Sequence, residues 1–547
     1  MKVLGVNAVF HDPAAALVVD GEIVAAAEEE RFSRRKHGKP PVAFSTWELP
    51  ERSARWCLEH AGLSAADLDA VAYSYDPALA PPTSDVVDGL WEGLRTLYVR
   101  RAPRFLATAL PGLRPDRVRF VPHHIAHAAS AYAAAGWRDC AVLVLDGRGE
   151  SASHLAGHVR GGRLEVLAAQ RLPHSLGLVY EELTAHLGFH RASDEYKVMA
   201  MASYGRPRLL DALRTSMHTT GDGGFRALAP DWSALGADGA DLAASVQRRL
   251  EEMLLELASW LHAQTGERRL AMAGGVALNC VANARLHRDG PFEEVWIQPA
   301  AGDAGTALGA ALHVAAQAGD RVKPMRTAAL GREWSEQELH GWLTGAGVAF
   351  ERVEDVADVV AAALARDEIV AWFQGRSELG PRALGHRSLL ADPRRAENTE
   401  RLNDVKGREQ FRPVAPMVLE ERAAQIFSGR LPSPHMLFTH HVAPRWRARI
   451  PAVVHVDGSA RIQTVSAAEE PLMARVLEGF EARTGVPVVV NTSLNTAGRP
   501  MVDDPRDALE CFGSAPIDLL AIGPYVVRRP RPVPRAAHAA DSTPALA

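Results

Sequence analysis

Two histidines four positions apart, His123 and His127, are the residues whose type and spacing point most directly to chemistry. A β-type run ends at Pro122, and the alanine-rich segment that follows it is typical of a helix. Side chains four positions apart share one face of a helix, so both imidazoles project to the same side. Such a pair is half of a transition-metal site, and the alternative is a pair of solvated or core histidines.

Two aspartates at the ends of predicted strands are candidates for the other half of that site. Asp146 follows the predicted strand 142–145 and opens a turn with Gly147. Asp303 follows the predicted strand 295–298 and precedes a helix of small residues. Taken alone, Asp303 also fits a helix N-cap, where a carboxylate accepts backbone N–H groups.

The second half of the chain carries many cations in turn-rich, otherwise apolar segments. Cations that turns hold beside strands suit phosphates and other anions, because a guanidinium fork matches a pair of oxygens. Each of them, taken singly, also fits a solvated surface position. A predicted strand at 487–490 leads into the polar stretch 491–495, which adds hydrogen-bonding groups. The cations are Arg376, Arg382, Arg387, Lys406, Arg408, Arg412 and Arg461.

The first half of the chain carries a repeated pattern of predicted secondary structure. A strand, a polar turn, a strand, a glycine hairpin and a third strand are predicted in residues 2–28. The same plan recurs in residues 142–168. Two like α/β halves, each with a hairpin turn facing a shared cleft, are the plan of the actin-like phosphotransferase superfamily. A glycine pair, Gly274 and Gly275, stands between a predicted strand and a helix from Asn279, where backbone can approach a ligand closely.

Length and composition bound the class of protein. A chain of 547 residues is too long for one compact core, so two or three domains are expected. The apolar runs are shorter than the ~18 residues that span a bilayer. The first residues show no signal-peptide pattern, and the four cysteines form no CxxC motif. We therefore expect a cytoplasmic protein with reduced thiols and no membrane partner. A net charge of −5 argues against a nucleic-acid partner.

Periodicity is lost at residues 317–333, which predicts a domain boundary. The predicted organisation is an α/β domain at 1–325, a second α/β domain at 335–528 and a tail at 529–547. The tail is rich in Pro, Ala and Arg and is expected to be disordered.

Taken together, these motifs resemble those of the O-carbamoyltransferases of the nodulation and antibiotic-tailoring (NodU-type) family. The resemblance covers nearly the whole chain with the motifs in order, which makes it far more specific than any single motif. Ala200 and Ser203 depart from the family pattern, which should affect packing more than chemistry. The matching stretches are residues 10–12, 27–38, 123–130, 145–147, 195–199, 273–279, 302–311, 380–388, 406–409, 411–416 and 491–495.

The resemblance implies two lobes and a two-step reaction. The first lobe would be a duplicated actin-like (ASKHA) domain, similar to the metal-dependent proteins that transfer threonylcarbamoyl groups to tRNA. The second would resemble, more remotely, the YrdC-type domain. The second lobe would convert carbamoyl phosphate and ATP to carbamoyl adenylate. The first lobe would pass the carbamoyl group to a hydroxyl of a small molecule and release AMP.

The resemblance also implies roles for individual residues. A divalent metal would be held by His123, His127, Asp146 and Asp303. Fe²⁺ is favoured by analogy, and Mn²⁺ or Zn²⁺ also suits a His₂Asp₂ set. Mg²⁺ is a further expected ion. His11, next to Asp12, is the candidate general base, and its alternative is a structural histidine. Lys36 would orient the acceptor. The positions that match cofactor binding are Gly147, Lys197, Gly274, Gly275 and Asn279. Those that match the carbamoyl phosphate and ATP site of the second lobe are Arg382, His386, Lys406, Arg412, Arg461, Ser493 and Asn495.

Three other functions fit parts of the sequence. They are a tRNA threonylcarbamoyl transferase, an actin-like ATPase switch protein and a non-catalytic metal-binding scaffold. The second, arginine-rich domain argues against the first two, and the charge balance argues further against tRNA. The site residues that match the carbamoyltransferase motifs in order argue against all three. The apolar, proline-containing segment 77–112 favours a bulky, partly apolar acceptor such as a macrolide or its sugar. We expect a monomer or a homodimer.

Overall fold

The protein is described here from a computed structural model, which covers residues 1–38, 48–81, 89–496 and 498–529. Part of the predicted acceptor segment 77–112 and all but the first residue of the predicted tail lie outside these ranges.

The first sheet has five strands in the order β3-β2-β1-β4-β5. β1, β2 and β3 are antiparallel neighbours, and β4 and β5 continue the sheet in parallel with β1. β1 and β4 are buried on both faces, which explains why they are continuous apolar runs without alternation. The strands are β1 Lys2–Asn7, β2 Ala14–Val19, β3 Glu22–Glu28, β4 Ala70–Tyr73 and β5 Val118–Phe120.

The second sheet repeats this arrangement in the order β8-β7-β6-β11-β12. Again the first three strands in sequence are antiparallel neighbours and the last two are parallel to the central strand. This repetition confirms the predicted duplicated, actin-like α/β fold. Its strands are β6 Cys140–Leu145, β7 Ala152–Arg160, β8 Arg163–Arg171, β11 Arg269–Ala273 and β12 Glu294–Ile297, and a separate hairpin has β9 Met217–Thr219 and β10 Phe225–Ala227.

Two helices, α4 (His123–Ala135) and α10 (Ala304–Gln317), join the two sheets. α10 packs on the first sheet and α4 on the second, and the two helices pack on each other. Their small residues allow a very close approach: a Cβ atom at Gly309 would lie 1.8 Å from the backbone oxygen of Ala126. The alanines of both helices and the glycines of α10 are therefore required by this crossing, which brings the N-terminal ends of the helices together.

The remaining helices of this part cover the outer faces of the two sheets or connect their strands. They are α1 Glu30–Ser33, α2 Glu51–His60, α3 Gly89–Ala109, α5 Leu176–His186, α6 Glu195–Met201, α7 Leu210–Ser216, α8 Gly239–Thr265 and α9 Cys280–Asp289.

The C-terminal part is built on a mixed eight-stranded sheet in the order β13-β22-β21-β14-β15-β20-β16-β19. A two-stranded ribbon of β17 and β18 stands beside it. The strands are β13 Glu351–Arg352, β14 Val370–Phe373, β15 Arg387–Ala391, β16 Ala415–Leu419, β17 Thr439–His441, β18 Ser459–Arg461, β19 Gln463–Val465, β20 Val488–Ser493, β21 Leu519–Ile522 and β22 Tyr525–Arg528.

Helices pack around this sheet, so the C-terminal part is α/β as predicted. They are α11 Glu336–Gly345, α12 Val356–Ala365, α13 Glu397–Val405, α14 Glu420–Ile426, α15 Pro444–Arg447, α16 Pro471–Thr484 and α17 Pro505–Ser514. The domain boundaries at 325 and 335 and the likeness to YrdC proteins stay predictions. In the described ranges, none of the helices is both long and apolar enough to span a membrane.

A buried ion pair connects the two parts. The side chains of Glu28 and Arg31 lie 3.4 Å apart and are almost fully buried. Glu28 accepts a hydrogen bond from the backbone N–H of Gly380 at 2.6 Å, and Arg31 donates to the carbonyl oxygen of the same residue at 2.9 Å. The turn at Gly380, which leads to Arg382, is thereby fixed against β3 and α1.

Candidate active site

The two histidines of α4 meet two aspartates from different elements. Nε2 of His123 lies 3.3 Å from Asp146 and 3.6 Å from Asp303. Nε2 of His127 lies 3.7 Å and 3.6 Å from the same two carboxylates. All four residues are buried, and one ligand atom from each lies within 4.8 Å of the others. The predicted metal site is therefore assembled by the crossing of α4 and α10 at the ends of β6 and β12.

Each aspartate uses one carboxylate oxygen for the fold and directs the other at the histidines. Oδ1 of Asp146 accepts the backbone N–H of Gly275 at 2.8 Å, and Oδ2 faces the imidazoles. Oδ2 of Asp303 accepts the backbone N–H of His11 at 3.1 Å, and Oδ1 faces the same centre. Carboxylate ligands that are held in this way by outer hydrogen bonds are typical of metal sites.

The histidines are arranged for the same purpose. His123 Nδ1 lies 3.2 Å from the carbonyl oxygen of Ser74, which can only accept, so Nδ1 donates to it and Nε2 is the nitrogen that faces the aspartates. Neither ring nitrogen of His127 has a hydrogen-bond partner, although the residue is fully buried. A buried imidazole without partners costs stability unless something binds it, so the donor set fits a divalent metal ion.

Electrostatics holds this cluster in a charged state. Burial alone would raise the pKa of Asp146, but the neighbouring imidazoles of His123 and His127 hold it well below its usual range. The pKa of Asp303 is lowered against burial in the same way. Burial alone would lower the pKa of His123, and the two aspartates raise it well above its ordinary value. The carboxylates are thus kept ionised, as a metal ligand must be.

The smaller of two cavities, about 490 Å³, opens beside this cluster. Asp146, Gly147, Gly275, Asn279 and Asp303 line it. Gly274 adopts a φ of 92°, and a Cβ atom there would lie 2.1 Å from the backbone oxygen of Leu145, so only glycine fits between β11 and β6.

The turn between β1 and β2 supplies His11 and Asp12 to the same cavity, and the segment after α1 supplies Lys36. His11 Nδ1 lies 2.8 Å from Oδ2 of Asp12. The ammonium of Lys36 lies 3.5 Å from the buried carboxylate of Glu30. Burial alone would raise the pKa of Asp12, but the imidazoles of His11 and His37 hold it well below its usual range.

The larger cavity, about 1400 Å³, lies between the two parts of the molecule, and ten arginine and lysine side chains are among the residues that line it. The ammonium of Lys406 donates to the backbone oxygen of Ser493, to its hydroxyl at 2.9 Å and to the side-chain oxygen of Asn495. These acceptors are neutral, so the positive charge of Lys406 is held without being cancelled. Arg382, Arg408, Arg412 and Arg461 complete the cationic wall.

These cations are crowded and buried. Burial, followed by the nearby Arg408, places the pKa of Lys406 well below its ordinary value. Burial and Arg461 lower the pKa of Arg382 to about 9. Nε of Arg382 and Nε of Arg461 are buried without a hydrogen-bond partner. A bound polyanion would relieve both the repulsion and the missing hydrogen bonds.

The two cavities adjoin each other. His11, Lys36, His37 and Arg382 line both of them. The larger cavity also exceeds the ~300–1,000 Å³ of a typical small-molecule site, which leaves room for more than one ligand.

Comparison with known proteins decides the family. The family model described as Carbamoyltransferase N-terminus matches residues 2–110, 96–235 and 227–312, and the model described as Carbamoyltransferase C-terminus matches residues 361–529. The chain belongs to the carbamoyltransferase family. It is therefore a transferase by family, as the motifs predicted.

Named relatives of this carbamoyltransferase agree with the assignment. It is 38% identical to nodulation protein NolNO of Sinorhizobium fredii, over 96% of this chain and 80% of that protein. It is 36% identical to an uncharacterised protein of Synechocystis, over 96% of both chains. It is 32% identical to nodulation protein U of Rhizobium tropici, over 93% of both.

One predicted site residue of the carbamoyltransferase lies elsewhere than expected. His386 does not line either cavity among the described residues; its Nε2 lies 3.2 Å from the carboxylate of Glu470. Lys197 lines the larger cavity, where its ammonium pairs with Glu409 at 2.7 Å and Asp194 at 3.1 Å, and its role in cofactor binding stays a prediction. The other predicted residues line the two cavities, except His123 and His127, which are fully buried against Asp146 and Asp303, and Gly274, which precedes Gly275.

Sequence reasoning missed three residues that support the site. Glu150 accepts the backbone N–H of His123 at 2.8 Å and so fixes the start of α4. His37 and Ser193 lie beside Asp12 at the junction of the cavities. His37 lies within the matched stretch 27–38, so its position was available as a signal, whereas Glu150 and Ser193 carry no local pattern.

Proposed function

We propose that this chain is an ATP-dependent O-carbamoyltransferase. Carbamoyl phosphate and ATP react in the larger cavity to give carbamoyl adenylate. The His/Asp site then transfers the carbamoyl group to a hydroxyl of a small-molecule acceptor, and AMP is released.

The activation step needs several fixed cations. Carbamoyl phosphate loses its phosphate to water, and the resulting carbamate oxygen attacks the α-phosphorus of ATP and displaces pyrophosphate. The step consumes one water and yields one phosphate and one pyrophosphate for each carbamoyl adenylate. Lys406, Arg412 and Arg461, with Ser493, bind and orient the phosphate oxygens, and their charge offsets the mutual repulsion of the two anions.

The transfer step needs a base and stabilisation of negative charge. A divalent metal held by His123, His127, Asp146 and Asp303 supplies Lewis-acid stabilisation of phosphate and carbonyl oxygens when bound; we propose Fe²⁺, and Mn²⁺ or Zn²⁺ also suits these ligands. His11 takes the proton of the acceptor hydroxyl at Nε2 as its oxygen attacks the carbamoyl carbon. Lys36 orients the acceptor.

One observation carries the proposal: a cation-lined cavity and a buried His₂Asp₂ cluster open onto adjoining spaces that share His11 and Arg382. Carbamoyl adenylate is a reactive mixed anhydride, and water would destroy it outside the protein. Adjoining sites keep the path short and sheltered.

For the acceptor, we propose a hydroxyl-bearing natural product with a bulky apolar part, such as a macrolide or its sugar. Arg95 of α3 lines the smaller cavity and lies over the ring of Phe10 at 4.9 Å. The same helix exposes Leu94 and Leu97. These features support a partly apolar acceptor near α3.

The decisive experiment measures AMP, pyrophosphate and phosphate formed by purified protein with MgATP, Fe²⁺ or Mn²⁺, and with or without carbamoyl phosphate. We expect AMP only when carbamoyl phosphate is present. The Lys406→Ala/Arg461→Ala variant should lose at least ~100-fold of this activity, because two charged contacts to phosphate are removed.

A matched control removes two charges from the surface of α16, in an Arg475→Ala/Arg483→Ala variant. It should keep the wild-type rate. Formation of ADP regardless of carbamoyl phosphate would instead support the ATPase switch and reject the carbamoyl proposal.

A further inference from the structure

The stretch 27–38 matched the family, yet the proposed function uses only Lys36 from it. Glu30, which is buried, accepts the backbone N–H of His37 at 2.8 Å. The ammonium of Lys36 lies 3.5 Å from the same carboxylate. Glu30 thus holds the turn that carries both residues.

His37 belongs to a continuous chain of hydrogen bonds. His11 Nδ1 and His37 Nδ1 lie 2.8 Å and 3.0 Å from the two different oxygens of Asp12. Nε2 of His37 lies 2.7 Å from the hydroxyl oxygen of Ser193. An ionised carboxylate can only accept, so each imidazole donates its Nδ1–H to Asp12, and Nε2 of His37 is left to accept the Ser193 O–H.

The backbone around this chain is strained. Phe10, Asp12, His37 and Ala192 have φ angles of 61°, 43°, 61° and 57°, in the left-handed region that favours glycine. Such conformations persist only where the surroundings enforce them, and they concentrate at functional sites. These four residues come from three separate segments and surround one hydrogen-bond chain, so the strain is local to this contact.

The chain also stands at the junction of the cavities. His11, His37 and Ser193 line both of them. The rings of His11 and His37 are 4.3 Å apart, so His37 limits the movement of His11 by packing as well as through Asp12.

We propose that His37 is a positioning residue of the transfer site. His37 is anchored on Ser193 and holds the Asp12 carboxylate in place, and the carboxylate in turn holds the His11 imidazole. The effect of this positioning on the rate of carbamoyl transfer rests on the proposed function. Because His37 occupies Oδ1 of Asp12, only Oδ2 remains to accept from His11. The His11 ring is therefore held in one orientation and one tautomer, with its lone pair on Nε2.

The test uses NMR of the full-length protein with ¹⁵N-labelled histidine. Imidazole N–H protons donated to a carboxylate resonate far downfield, and the His11→Gln variant assigns the His11 signal. His37→Gln keeps an amide near Ser193 but removes the donor to Asp12, and it should shift or broaden the His11 signal. His37→Asn places an amide donor where Nδ1 was and should restore it. An unchanged His11 signal in His37→Gln would overturn the proposal.

Kinetics give a second readout, with glycerol as the alcohol. We expect His37→Gln to lower kcat for carbamoyl transfer on the order of 10–100-fold with little change in KM, and His37→Asn to recover part of the loss. Equal kcat values for wild type and His37→Gln would reject positioning. If the wild type forms no pyrophosphate that depends on carbamoyl phosphate, the proposed function is wrong. The NMR comparison would still test the His37–Asp12–His11 contact in that case.

Discussion

The residues around Asp146 and those around Lys406 are both buried and charged, but their charges are balanced differently. At the first site two aspartates face two histidines, and the pKa of each aspartate is lowered although burial raises it. At the second site burial and the nearby Arg408 lower the pKa of Lys406, whose hydrogen-bond acceptors are neutral. The first cluster offers two carboxylates and two imidazoles as ligands for a cation, and the second is a group of crowded cations that a bound anion would stabilise.

This difference shows what each site is prepared to bind. Bringing like charges together in a poorly solvated space costs free energy that a ligand of opposite charge offsets. Metal binding at Asp146 and polyanion binding at Lys406 should therefore be separable properties of one molecule. The predictions that follow try to separate them.

The largest expected effect comes from the metal site. Asp146→Asn keeps the size of the side chain but removes the charge that faces both histidines, so we expect metal affinity to fall by ~100-fold or more and carbamoyl transfer to be lost. Metal content after dialysis, measured by mass spectrometry, checks the first part. Carbamoyl-phosphate-dependent pyrophosphate release should persist, because the Lys406 cluster is intact.

The matched control is His124→Gln. His124 is the buried neighbour of His123, but its imidazole is not part of the His/Asp cluster. This variant should keep its metal. If both variants lose metal equally, the loss reflects packing of α4 rather than ligation.

An intermediate effect concerns the proton on Lys406. Its pKa is lowered in the free protein, and a bound phosphate would stabilise the ammonium and raise it again. Affinity for carbamoyl phosphate should therefore be full below the pKa of the free protein and fall as the pH rises through it.

Calorimetric titration of carbamoyl phosphate across a pH series, in two buffers that differ in ionisation enthalpy, measures this proton uptake. Lys406→Arg should bind without it, because a guanidinium stays protonated. The same uptake in wild type and Lys406→Arg would mean that another group titrates.

The smallest effect is expected at Lys197, which lines the larger cavity. Its ion pair with Glu409 is partly exposed, with side-chain exposures of 15% and 35%, so the pair contributes at most ~1 kcal/mol. Lys197→Met should change the KM for ATP less than about fivefold, and Glu409→Gln should do the same. A rise of more than tenfold in the KM for ATP in Lys197→Met alone would support the cofactor-binding role that the sequence predicts.

Much of the fold was predictable because its signals are local. The predicted strand 142–145 lies within β6 (Cys140–Leu145), and the predicted strand 295–298 differs from β12 (Glu294–Ile297) by one residue at each end. The repeated strand–turn–strand plan identified the duplicated sheets. Apolar periodicity and turn residues report on neighbours along the chain, which is why these elements were found.

The sequence alone was enough to predict the four residues of the His/Asp cluster, the glycine turn, most of the cations and, through the order of the motifs, the family. The folded chain was needed to show where the side chains go: His386 pairs with Glu470 outside both cavities, and Lys197 pairs with Glu409 in the wall of the larger one. It also brought His37 to Asp12, a contact that joins two turns 25 residues apart. Spacing places side chains within one helix or strand, whereas contacts between elements depend on how α4 and α10 cross and how the two parts of the molecule dock.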